Sequence, residues 1–380
     1  MSHPDGDERT RDPKNPSYAR VIAAGDRRPT FFWATVVVLV AGFALAPVLL
    51  SHDVYSYVDY ARLGVVHGLD PYTHPPAAAP FDPAYARVTW IGAKSAYGPL
   101  FTLAVYPLAW LPVWLAVAAL KATAALSVLA TAVLVARIAP ARGVSPLGAA
   151  AFVALNPLVL IHVVGGAHND GPAMLLATIG IAAMLSAREA SAGAAFVAAF
   201  AIKAPAAVAA PFALVSAARM KPFGPYRGYK ASTGVGRPWV RLLVGALLAA
   251  LAIGAGAHAA FGWHWLHGIE LAAGHQHKTS HLSFPTAFAR IAGLDPTAVR
   301  AAALALFAAA FAYLLAWTWR GNDWLRAASW ASFALLLATA WLLPWYLIWA
   351  LPLVALSRDR PLQLLTLALT AYQLPARLPL

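Results

Sequence analysis

A short polar stretch, Ser51-His52-Asp53-Val54-Tyr55-Ser56-Tyr57, breaks an apolar run directly after the hydrophobic segment from Phe31 to Leu50. It sets a carboxylate where a first membrane span would meet the aqueous boundary. A carboxylate there can take a proton from a hydroxyl whose reaction partner is lipid-borne, because the carrier holds the reacting bond near the headgroups. Asp53 is therefore the candidate general base, with Tyr55 and Tyr57 as candidate substrate contacts. Its plainer reading is a helix N-cap; Asn caps about as well as Asp but cannot act as a base.

Further along, Gly165-Gly166-Ala167-His168-Asn169-Asp170 is a polar turn between two apolar runs. Three consecutive polar side chains exceed what a helix cap needs, so His168, Asn169 and Asp170 are candidate contacts to sugar or acceptor hydroxyls, weighed evenly against a capped turn. Lys203 sits inside a hydrophobic run, where an unpaired ammonium is costly. Its natural partner is a lipid phosphate, with snorkelling to headgroups as the alternative. His275-Gln276-His277-Lys278-Thr279-Ser280-His281 fits no strong zinc spacing and holds no carboxylate, so no metal is expected. His277, Lys278, His281 and Arg290 read instead as hydrogen bonding and charge for a phosphate leaving group. Asp59 reads as a surface ion pair with Arg62, and Asp70 before Pro71 as a turn residue. Trp341, Trp345, Tyr346 and Trp349 around Pro344 read as an interfacial aromatic belt, with stacking on sugar or polyprenyl chain as the alternative.

The elements that must carry these residues are membrane helices. Of 380 residues, 61% are hydrophobic and 11% charged. That composition indicates an all-α, polytopic membrane fold. The formal charge of +13 falls between hydrophobic runs, which suits orientation-setting loops and not nucleic acid. With no cysteine, disulfides and thiolate chemistry are excluded. Residues 1–28 are polar and mixed in charge, a disordered cytoplasmic tail by composition, and residues 29–380 form one integral membrane domain. Basic clusters kept inside place loops 51–96, 165–170 and 262–297 on the outer face. The basic stretch from Arg219 to Arg241 can stay inside only if Ser191 to Ala218 is two half-spans meeting at Lys203-Ala204-Pro205. Counting spans gives about eleven membrane segments, two of them short. Eleven of the twelve histidines then fall at or near one face. After Asp53, Val54, Tyr57, Val58, Ala61 and Val65 share one helical face and Ser56, Asp59 and Arg62 another, which predicts a helix lying at the membrane interface and ending near Gly68.

Asp53-Val-Tyr-Ser-Tyr with downstream Gly-Leu-Asp-Pro-Tyr, Tyr97-Gly-Pro, Gly-Gly-Ala-His168-Asn-Asp170 and Lys203-Ala-Pro together resemble the bacterial polyprenol-phosphomannose-dependent alpha-1,6-mannosyltransferases, multispan GT-C glycosyltransferases. The motifs keep their order over roughly the first half of the chain. The resemblance implies a GT-C fold in the cell membrane, with its active site outside and Asp53 as base. A deprotonated acceptor hydroxyl, on a glycolipid or glycan, would attack a beta-linked polyprenyl-phosphate mannose and invert it to an alpha linkage, with no cofactor or metal. Lys203, Lys278, Arg290 and nearby histidines would stabilise the phosphate. A transporter or flippase of lipid-linked sugars is the competing class, but paired interrupted segments are expected there and the Lys-Ala-Pro break has no counterpart.

Overall fold

The structure is a computed structural model describing residues 16–219, 236–274 and 278–376, and these are helical with no strand among them. The first helix, α1 (Pro16–Leu45), begins earlier than the boundary expected at residue 29. It leads into α2 (Asp53–Val65), then a long loop, then α3 (Pro99–Val105) and a 3-10 turn over Tyr106–Trp110. Pro112 ends this short segment, and α4 (Val113–Ile138) follows as a full-length span.

The apolar run from Ser145 to Val164, long enough for a span, is not one helix. It divides into α5 (Pro146–Ala154) and a π-helical turn over Val159–Val164. The break falls at Asn156-Pro157: proline withholds a backbone donor, and Asn156 Oδ1 accepts from the Leu158 N–H at 3.0 Å instead. Next come α6 (Asp170–Leu185) and α7 (Glu189–Ile202), and α7 stops at Lys203 as the Lys-Ala-Pro motif predicts. A 3-10 turn over Ala204–Ala207 leads to α8 (Ala210–Arg219). Beyond the undescribed residues 220–235 lie α9 (Pro238–Phe261), α10 (Leu266–Gly274), α11 (Phe284–Ala292), α12 (Pro296–Trp319) and α13 (Trp324–Ala338). A 3-10 segment over Pro344–Trp349, α14 (Leu351–Leu356) and α15 (Arg360–Gln373) complete the fold.

Side-chain caps set several starts. Ser145, Ser283, Asp295, Asp323 and Asp359 each accept a backbone N–H from the first turn of the helix they precede. Among the described residues three helical stretches, Val113–Arg142, Pro238–Phe261 and Pro296–Trp319, are long and apolar enough to cross a membrane, and seven more apolar stretches have 10–17 residues. The expected tally of about eleven crossings thus meets more broken segments than the two foreseen, because prolines and polar turns interrupt the apolar runs.

Exposure sorts the helices. α4, α6, α13 and α14 form the core, whereas α9 and α12 present Leu243, Leu247, Leu248, Leu251, Leu304 and Leu306 outward. Such faces are stable against hydrocarbon and not against water.

The interfacial helix is a correction. α2 does follow Asp53, but Ser56 and Asp59 on its polar face are as buried as Val54 and Val58 on its apolar face. The loop after Pro75 folds back over the polar face: Asp82 takes Arg62 Nε at 2.8 Å and His67 Nε2 at 2.8 Å. Arg62 thus pairs with Asp82 and not with Asp59, a long-range partner that helical spacing cannot reveal.

Helices α7 and α9 approach at two glycines. A Cβ on Gly193 would stand 2.0 Å from the Leu242 carbonyl oxygen, and one on Gly245 would stand 1.9 Å from that of Ala190. The ion pair of Arg241 Nη2 with Glu189 Oε2, at 2.9 Å, closes one end of the same interface. Small residues let membrane helices touch backbone to backbone, where van der Waals packing does the work. Gly245→Val is expected to force the pair apart and cost about 1–3 kcal/mol or more. Thermal unfolding of the purified variant checks this, and an unchanged midpoint refutes the close contact.

Candidate active site

The segment that delivers Asp53 is anchored from below by a lysine. Lys121, buried in α4, donates to the carbonyls of Ala46 and of Pro47, the latter at 3.1 Å, just past the end of α1. Those carbonyls have no helical partner, and a cation beside them also suits the helix dipole. Leu50 and Ala167 then adopt left-handed φ of 56° and 55°, unusual for residues with a Cβ. Each stands shortly before a candidate residue, Asp53 or His168, and the two segments join through the Leu49 N–H and the Gly165 carbonyl at 3.2 Å. Local strain at such places persists only when surroundings enforce it.

Asp53 is the first residue of α2, and the N-cap is His52, which makes no side-chain cap bond. The capping reading of Asp53 therefore fails. Its Oδ1 instead accepts from Trp90 Nε1 at 3.1 Å, and its Oδ2 lies 3.9 Å from His168 Nδ1. The His168 ring is stacked on Trp345, with centroids 3.8 Å apart at 18°. Tyr57 approaches His168 Nδ1 with its hydroxyl at 3.5 Å and packs edge-on against Tyr97 and Phe101. Burial first, then the charges of Asp53 and Asp170, push the Tyr57 phenol well above its ordinary value, so it stays protonated. Tyr57 is thus a buried support of the His168 side, not an open substrate contact.

At the start of α6, whose N-cap residue Asn169 makes no side-chain cap bond, Asp170 is fully buried. Lys203 Nζ meets its Oδ2 at 2.7 Å and Trp349 Nε1 its Oδ1 at 2.6 Å. The ammonium also lies 4.9 Å from the Tyr346 ring centre and 5.7 Å from that of Trp349. Lys203 thus has a carboxylate partner inside the fold, which its position in an apolar run does not reveal. Its side chain still faces a cavity of about 580 Å3. Asn169 is buried beside these residues and lies outside the cavity wall.

That cavity gathers Asp53, Lys203 and Lys278 with Trp90, Tyr97 and Trp341. Lys278 holds its ammonium 4.8 Å from the Trp90 ring centre and 4.4 Å from that of Trp341. Burial lowers its pKa, against the opposing charge of Asp53. The same lining holds the apolar side chains of Val197, Phe200, Ile202, Ala250, Ile253 and Ile269. The remaining expected residues lie elsewhere. Tyr55 is held by Arg87, whose Nη1 donates to its hydroxyl at 3.3 Å. His281 and Arg290, expected beside a phosphate, are exposed, bond each other and do not line the cavity. His277 lies outside the described residues. Among the described residues no cluster of three His, Asp or Glu could hold a metal ion.

Sequence reasoning missed Trp90 and Lys121. A tryptophan inside a polar loop and a lysine inside a span were the available signals. It also misjudged Asp59, which is buried with both carboxyl oxygens lacking a hydrogen-bond donor among the described residues. Burial and the charge of Asp82 push its pKa up to about 7, against the opposing pull of His67 and Arg62.

Two predictions follow from these buried carboxyls. Lys203→Met leaves Asp170 charged and unpaired, so it is expected to cost about 3–5 kcal/mol in unfolding measurements, and adding Asp170→Asn should recover much of that loss. Equal losses for single and double variants would refute the pairing. A raised carboxyl pKa gives stability that is fully present below the ordinary value of 3.8 and lost as pH rises through about 7. Asp59→Asn mimics the neutral form, so the wild-type melting temperature should fall more than that of the variant between about pH 5 and pH 8. Parallel pH profiles would show that Asp59 does not titrate in this range.

Residues 17–219, more than half of the chain, match the family described as alpha-(1->6)-mannopyranosyltransferase, N-terminal domain. The chain is similar to alpha-(1->6)-mannopyranosyltransferase A of Corynebacterium glutamicum, 31% identical over 183 residues, which is 47% of this chain and 37% of that protein. It is also similar to alpha-(1->6)-mannopyranosyltransferase A of Mycobacterium tuberculosis, 28% identical over 367 residues, covering 88% of this chain and 67% of that protein. The matched region therefore spans between about a third and two thirds of those relatives' lengths. No solved structure matches the chain. The family match contains Asp53, Trp90, Lys121, His168, Asp170 and Lys203, the larger part of the site just described, and on that ground the chain belongs to the alpha-(1->6)-mannopyranosyltransferase family.

Proposed function

We propose that this protein is an inverting mannosyltransferase that moves a mannosyl unit from a polyprenyl-phosphate sugar to a hydroxyl of a glycolipid or polysaccharide, forming an alpha-1,6 linkage on the extracytoplasmic face of the cell membrane. The observation that carries the reading is the mixed lining of one cavity, which joins Asp53 and the two lysines Lys203 and Lys278 to a larger set of apolar side chains. A donor that is a sugar phosphate at one end and a hydrocarbon chain at the other suits a lining of both kinds.

In this mechanism Asp53 takes the proton of the acceptor hydroxyl as its oxygen attacks the anomeric carbon. The bond from that carbon to the phosphate oxygen breaks, and polyprenyl phosphate leaves with one further negative charge. Lys278 and Lys203 face that charge, so the leaving group needs electrostatic stabilisation and no acid. The Trp90 N–H bond fixes one oxygen of Asp53 and leaves the other toward His168, which limits the carboxylate to one orientation. Trp90 and Trp341 form a stacking surface beside the base, suited to a sugar ring. Membership in this family supports the reaction class.

The test is donor consumption by purified protein supplied with polyprenyl-phosphate mannose and mannan or glycolipid acceptors, beside Asp53→Asn. The expected loss in the variant is about 100-fold or more with an unchanged melting temperature. Turnover retained in Asp53→Asn would remove it as base. Vesicle experiments showing translocation of the lipid-linked sugar with no sugar transfer would replace the enzyme with a transporter.

A further inference from the structure

A second cavity, of about 610 Å3, lies at the end of the bundle opposite Asp53. Helix α4 links the two ends: Lys121 touches the segment that leads to Asp53, and Arg142, roughly 30 Å farther along at 1.5 Å per residue, touches the second cavity's wall. The wall is made by two helix junctions. Trp317, Asn322, Asp323 and Arg326 come from the α12–α13 junction, and Arg358, Asp359 and Arg360 from the α14–α15 junction.

Charge in this pocket does not cancel. Asp323 is bonded by Arg142 and caps α13, accepting the Leu325 N–H at 3.0 Å. Asp359 accepts from Arg326 Nε at 2.7 Å, Trp330 Nε1 at 2.9 Å and the Leu362 N–H at 3.2 Å. Both carboxylates are thus occupied by partners inside the fold. Arg358 and Arg360 are exposed and have no carboxylate partner among the described residues. Arg358 is moreover held in a left-handed conformation, φ 59°, which a residue with a Cβ adopts only where its surroundings enforce it. Its guanidinium carbon lies 3.6 Å from the position a Cβ would take on Gly143, so the group is seated against a neighbouring turn.

The surroundings point to lipid. Helix α12, which delivers Trp317, exposes Leu304, Leu306, Tyr313 and Trp319 along its length and buries no part of its apolar window. Tryptophans at the end of such a helix mark the boundary between hydrocarbon and headgroups. Guanidinium groups fork two N–H donors onto a phosphate, and basic pockets between helix ends suit anionic headgroups. We infer that this pocket binds the phosphate of an anionic lipid headgroup, with Arg358 and Arg360 as its contacts and the acyl chains lying along α12.

The test uses the full chain in detergent, with native mass spectrometry after addition of phosphatidylglycerol, phosphatidylcholine or inorganic phosphate. Wild type and Arg300→Gln, an arginine at the opposite rim, are expected to retain phosphatidylglycerol over phosphatidylcholine. The double variant Arg358→Gln and Arg360→Gln should lose that retention by about tenfold or more. Should the double variant fail to fold, the charge reversal Arg360→Glu at the exposed start of α15 serves in its place. Retention unchanged in the variants, or no preference between the two lipids, overturns the proposal. Displacement of the lipid by equimolar inorganic phosphate would reassign the pocket to soluble phosphate and overturn the lipid assignment.

Discussion

A fully buried carboxylate in an apolar chain has to be neutralised where it stands, and the arrangement around Asp170 follows from that constraint. Its two oxygens are taken by Lys203 and Trp349. Those partners come from the break after α7 and from the 3-10 segment Pro344–Trp349, so one side chain pins three remote pieces of sequence. The helix cannot run on through Lys203 without carrying its ammonium away from Asp170. Pro205 removes the donor that continuation would need, and a 3-10 turn occupies the gap. The Tyr97-Gly98-Pro99 corner then closes on this end of α7: the Gly98 N–H reaches the Ile202 carbonyl at 3.2 Å, and a Cβ there would stand 2.1 Å from the Ala201 oxygen. Only glycine allows that approach.

The pairing separates two neighbouring carboxylates into different roles. Asp170 spends its charge inside the protein, whereas Asp53 keeps one oxygen on a tryptophan N–H and stays on the cavity wall. Chemistry on an external hydroxyl requires the second kind of carboxylate. Lys203 shows the same division in reverse. It is tied to Asp170, yet its side chain remains partly open to the cavity, so its field reaches a bound anion without a mobile cation having to be ordered.

Much of the candidate site could be read from the chain because its residues violate local rules. A carboxylate at the end of a span, a lysine inside one and a turn with three consecutive polar residues each stand out against apolar surroundings, and Asp53, Lys203 and His168 do come together. The break at Lys203 was legible for a different reason, since charge in the following loop constrained the path. What could not be read were partnerships across long separations. Arg62 has Asp59 three residues away and Asp82 in a distant loop, and local spacing favours the wrong one. The amphipathic pattern of α2 was read correctly as a helix and wrongly as a surface one, because nothing local says that residues after Pro75 return to cover it. His281 and Arg290 lie close in sequence to Lys278 but outside the cavity, since α11 turns their segment onto the rim.

Lys278 shows how a solvent-side cation can be kept useful near hydrocarbon. An ammonium that leaves bulk water loses hydration, and two indole faces restore part of that interaction without supplying a counter-charge. A carboxylate partner would have cancelled its field, as Asp170 partly cancels that of Lys203. With Asp53 close enough to oppose the lowering of its pKa, Lys278 stays near both the base and any bound phosphate. On the proposed reaction the two charges change in opposite senses: Asp53 becomes neutral as the leaving phosphate gains charge. The attraction between Asp53 and Lys278 weakens during transfer, and that of Lys278 for the phosphate grows. On the reaction proposed, a cation set on tryptophans and shared in this way favours the transition state over the ground state, which is the requirement for catalysis.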